Sequence, residues 1–89
     1  MKTTIMNLNN DNYEVIKPIL VEIDKTPGDC VARMIGTDAV GFGVTPLGAK
    51  EALKDNIVML YEDMVDDKDN LGIMPKRWLN VLKRHIRRK

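Results

Sequence analysis

The 89 residues, 44% hydrophobic and 30% charged with a formal net charge of +1, suffice for one small folded domain, and they exclude a second domain and disorder along the whole chain. The single cysteine, Cys30, excludes an intramolecular disulfide and a cysteine-rich zinc cluster. No apolar run approaches the roughly 18 residues of a membrane span, and the polar, asparagine-rich start is unlike a signal peptide, so a cytoplasmic protein without membrane association is expected. A domain this small buries only about 60 to 70% of the surface its unfolded chain exposes, which favours a homodimer or higher homo-oligomer.

The small net charge hides a segregation of sign. Lys76, Arg77, Lys83, Arg84, Arg87, Arg88 and Lys89 form a C-terminal stretch without a single acid, leaving the rest with seven cations against thirteen acids. Such a tail can bind a polyanion, or fold onto the acidic body of its own or a sister chain.

In chain order, Asn7 to Asn12 has turn-forming composition and little to bury, and reads as a frayed start or loop. Val15, Ile19, Val21 and Ile23 alternate along Tyr13 to Asp24 and predict one strand, at an edge or bent at Pro18, which lacks an amide donor. Lys25-Thr26-Pro27-Gly28-Asp29 is a turn, and Cys30 to Ile35 a second strand that completes an antiparallel hairpin. After a turn at Gly36-Thr37-Asp38, Ala39 to Val44 is a third strand, thinned by Gly41 and Gly43.

Thr45-Pro46 is a helix start, with a capping hydroxyl and a proline where no amide partner is lost. Ala49, Ala52, Leu53, Ile57, Leu60, Tyr61 and Met64 recur at helical spacing to about Val65. This helix is roughly 30 Å long, enough to cover a sheet of three or four strands. Gly48 in its first turn costs about 1 kcal/mol relative to alanine if the position is helical. An acidic loop over 66–74 follows. Trp78, Leu79, Leu82 and Ile86 then mark the apolar face of a basic amphipathic helix over 75–88. The reading is one α+β domain over 1–89 with its core in 13–65: a three- to four-stranded antiparallel sheet, one long helix on a face and a C-terminal basic helix.

Little in this inventory supports catalysis. The absence of serine removes a Ser-His-Asp triad, and a Cys-His pair would have to join Cys30 in the hairpin to His85 in the last helix. No residue nearby in sequence orients His85 as a base. The acidic loop lacks the alternating ligands and distal glutamate of a calcium loop, since Leu71 stands where a ligand is needed. Gly41, Gly43 and Gly48 match neither a phosphate loop nor a dinucleotide fingerprint. No enzyme, cofactor or metal is expected. The basic end can neutralise phosphates, although the spacing of Trp78 with Leu82 and Ile86 suits core packing better than base stacking. It carries one helix, without a helix-turn-helix or ribbon-helix-helix module.

Gly43-Val44-Thr45-Pro46-Leu47-Gly48-Ala49, followed by Ala52-Leu53-Lys54-Asp55-Asn56-Ile57 and Leu60-Tyr61-Glu62-Asp63, resembles the Gly-x-Thr-x-x-Glu-Ala region of the HicB-like antitoxin family. Gly28-Asp29-Cys30-Val31-Ala32 is similar to that family's Gly-x-x-Val-Ala segment. The resemblance spans about Tyr13 to Met64 and is looser to Ile86. Gly48 replaces the family's glutamate, and only Gly36 to Gly41 stands where a Pro-Glu-Leu-Pro-Gly-type stretch is expected. The resemblance implies a partial ribonuclease-H-like α+β fold, usually oligomeric, without a complete catalytic carboxylate set, that masks a small toxin ribonuclease. Many members carry a further DNA-binding domain, which has no counterpart in these residues.

Two functions are therefore expected in competition. In the first, a non-catalytic antitoxin-like module pairs Glu51, Asp55, Glu62 and Asp63 with cations of a small basic protein. In the second, a nucleic-acid-binding or regulatory protein acts through Lys83, Arg84, Arg87 and Arg88.

Overall fold

The computed structural model describes the backbone of all 89 residues and every side chain but that of Lys68. The element order is β1 (Lys2–Ile5), β2 (Tyr13–Val15), β3 (Ile19–Thr26), β4 (Asp29–Met34), β5 (Val40–Gly43), α1 (Pro46–Asp66), a 3-10 turn (Lys68–Asn70), α2 (Ile73–His85) and β6 (Ile86–Arg88). The protein is α+β: an antiparallel sheet of order β1-β3-β4-β5, a small β2-β6 sheet and two helices. No helix among the described residues is long and apolar enough to cross a membrane.

The expected single strand from Tyr13 to Asp24 is two strands in different sheets. The break falls at Pro18, and the amides of Ile16 and Lys17 both turn to the carbonyl of His85. The residues before Tyr13 are also more ordered than their composition suggests. Lys2–Ile5 pairs with β3, and Leu8 is buried while the asparagines around it close local turns: Asn7 Oδ1 accepts from Asn9 N and Asn10 Oδ1 from Asn12 N. The expected five-residue turn tightens to Pro27-Gly28, because Thr26 already pairs with Asp29. Gly28 takes φ +82, the left-handed value a type II turn demands of its third residue.

Thr45 caps α1 as expected, its Oγ1 accepting from Gly48 N at 3.0 Å. The helix lies on β5 and β4 through Ala49, Leu53 and Ile57, all fully buried. Gly41 and Gly43 permit this approach: a Cβ at Gly41 would stand 2.2 Å from Leu53 N, and one at Gly43 2.4 Å from Ala49 N. They weaken β5 as a strand and act as the seat of the helix.

The C-terminal stretch departs furthest from expectation. The acidic segment over 66–74 is mostly ordered secondary structure, with Asp66 closing α1, a 3-10 turn at Lys68–Asn70, and Ile73 and Met74 opening α2. The basic helix ends at His85, and Ile86–Arg88 becomes a strand paired with β2. The core is correspondingly wider than 13–65, since Ile5, Leu8, Leu79, Leu82 and Ile86 join the buried cluster with Trp78 packed against it.

Candidate partner-binding surface

On an α-helix, positions four, seven and eleven apart fall close to one side. Glu51, Asp55 and Glu62 therefore share one exposed stripe of α1, while Asp63 lies further round. The four expected acids are not equivalent. Glu51 accepts from Lys54 Nζ at 3.2 Å and is 3.4 Å from Asn9 Nδ2. Glu62 borders Tyr13: burial first, and the neighbouring carboxylate second, hold the phenol above its ordinary pKa, with Arg88 acting in the opposite direction. Asp55 and Asp63 make no ion pair among the described residues.

Asp63 belongs to a shallow groove of about 250 Å³ between α1 and the entry to β5, lined also by Asp38, Val40, Asn56, Met59 and Leu60. Asn56 donates to the carbonyl of Val40 and ties helix to strand at this point. Met59 is 59% exposed above the groove. Two carboxylates thus flank an apolar strip. Sequence reading missed Asp38, which lies in a turn and comes to the same groove as Asp63 only through tertiary packing. It also missed Met59, though a lone apolar residue on a charged helix face was a visible signal.

The four expected cations are not one surface. Lys83 and Arg84 are exposed on α2, whereas Arg87 and Arg88 lie on β6. Arg87 Nε donates to Glu14 Oε1 directly across the ladder, and Arg88 pairs with Tyr13 on the other face. The tail thus folds onto its own chain. Lys76 and Arg77, each seven residues before Lys83 and Arg84, complete a separate exposed basic stripe on α2 with Asn80 between them.

Cys30 and His85 are not brought together. Cys30 pairs opposite Lys25 near the end of β3, and its Sγ lies 3.7 Å from the carbonyl of Val44. His85 Nδ1 lies 3.0 Å from the carbonyl of Pro18, just before β3 begins. At about 3.3 Å per residue the length of that strand separates them by roughly 20 Å.

No family model matches the chain, and no curated protein and no solved structure is significantly similar to it.

Proposed function

We propose that this protein is a non-catalytic binding module of the HicB-like antitoxin kind, which masks a small basic toxin ribonuclease with the acidic face of α1. The observation that carries the reading is the pair Asp38 and Asp63, flanking the groove beside exposed Met59, with Asp55 on the helix above. Carboxylates that make no ion pair among the described residues steer a cationic protein and then pair with it, while Met59 supplies an adaptable apolar contact. In such a complex they occupy the place of RNA phosphates on the toxin. The longer of the sequence motifs that resemble the family, Gly43 to Asp63, lies on the same β5-α1 unit, and the shorter, Gly28 to Ala32, on the neighbouring hairpin.

The experiment is capture with tagged protein from a lysate of its source organism, with and without nuclease. The reading requires a stoichiometric small basic protein that survives nuclease, has ribonuclease activity when isolated and loses that activity on adding this protein. A captured protein with no such activity, or no stoichiometric protein, overturns it.

The exposed stripe Lys76, Arg77, Lys83 and Arg84 favours a second reading, contact with nucleic acid. That reading predicts affinity falling steeply with salt. It is tested by substitution rather than truncation, because α2 and β6 also supply buried Leu79, Leu82 and Ile86.

A further inference from the structure

Helix α1 packs on one face of the main sheet, and the residues that alternate onto the opposite face are all exposed or half-buried. Alternation along the strands and the observed register place Leu20, Glu22 and Asp24 of β3 on that face, opposite Ile35, Arg33 and Val31 at β4. Lys2 and Thr4 flank them on β1, and Val40 and Phe42 on β5. A solvated antiparallel face is ordinarily polar. Here Leu20 is 53% exposed, Ile35 45% and Phe42 60%.

The charges on this face are balanced and ordered. Lys2 and Arg33 oppose Glu22 and Asp24, and Arg33 already bonds Asp24 at 2.6 Å. Such a face offers little to a polyanion or to a strongly basic protein. It is, however, complementary to itself in one orientation. A two-fold axis running along the strands between β3 and β4 sets Leu20 against Ile35 of a second copy and Glu22 against its Arg33. An axis across the strands through the same row sets Glu22 on Glu22 and Arg33 on Arg33, which like-charge repulsion forbids.

We infer that the open sheet face is a self-association surface, on which a second copy of this chain packs as an aligned β-sandwich with Glu22 and Arg33 paired reciprocally between protomers. Aligned sheets pack about 10 Å apart with their strands within about 30°, a spacing these side chains span. Four strands about 4.8 Å apart give a face on the order of 20 Å wide. The rows from Leu20 to Asp24 run about 13 Å along the strands, so the contact is smaller than a standard interface of about 800 Å² per partner and the dimer is dissociable. It leaves α1 free and does not depend on the antitoxin reading.

The test is sedimentation of the full chain across a wide concentration range, with circular dichroism confirming that each variant is folded. The wild type self-associates, and Glu22→Arg and Arg33→Glu each raise the dissociation constant about tenfold or more. An equimolar mixture of the two variants re-associates, because one contact then sets Arg at 22 against Glu at 33 and the other keeps the native Arg33 against the native Glu22. Leu20→Thr and Ile35→Thr weaken the dimer without altering charge, and serve if a reversal variant does not fold. A monomeric wild type, a dimer indifferent to these substitutions, or a mixture no tighter than its components overturns the inference.

Discussion

Arg87 donates to Glu14 across the β2-β6 ladder, joining the basic end of the chain to a segment more than seventy residues earlier. Beside this exposed pair, Ile86 is 1% exposed and sits opposite Val15. The apolar residue carries the closure. Ile86→Ala should cost about 2 to 4 kcal/mol of stability, and Arg87→Ala less than about 1 kcal/mol. Urea unfolding of the two variants measures the difference, and equal losses would show that the ion pair holds the tail.

The close seat of α1 makes Gly41 the least tolerant position of the sheet. In Gly41→Ala the new methyl meets backbone atoms that cannot rotate aside. A loss of at least about 3 kcal/mol, or failure to fold, is expected. A loss under about 1 kcal/mol in thermal or urea unfolding would mean that α1 rests further from β5.

Thr45→Ala removes the hydroxyl that accepts from Gly48 N. The expected cost is about 1 kcal/mol, mostly restored by Asp or Ser at that position. Stability measurements on the three variants check this order.

Tyr13 gives a pH dependence with a definite sign. Its folded-state pKa is raised, chiefly by burial and then by Glu62. Below about pH 10 the phenol is protonated in both states and its contribution is fully present. Above that, the unfolded chain ionises first, so stability falls until the native phenol ionises too. Tyr13→Phe should flatten this alkaline limb. An unchanged slope in urea midpoints above about pH 10 would assign the loss to other groups.

Much of the fold was legible where the signals are local. Thr45-Pro46 marks the start of α1, and Pro27-Gly28 marks the hairpin, because both act through neighbouring backbone groups. What was hidden depends on distant partners. The strand character of Ile86–Arg88 exists only because Tyr13–Val15 lies beside it, and helical spacing through Ile86 extends past the true end of α2. The short strand Lys2–Ile5 has too few residues to show a period. The acids of α1 were legible as a charged face, but which of them make no ion pair among the described residues depends on Lys54, Asn9 and Tyr13, and the turn before β5 brings Asp38 to the same groove as Asp63.

The most direct measurement for the binding account is the affinity of the captured basic protein for the wild type, for Asp55→Lys/Asp63→Lys and for Lys83→Ala/Arg84→Ala, by titration calorimetry with nuclease-treated components. The α1 double reversal should weaken binding by two orders of magnitude or more, about 3 kcal/mol, while the α2 pair leaves it within about threefold. Undiminished binding by the α1 variant, with loss in the α2 variant, would contradict the account and move the interface to the basic stripe.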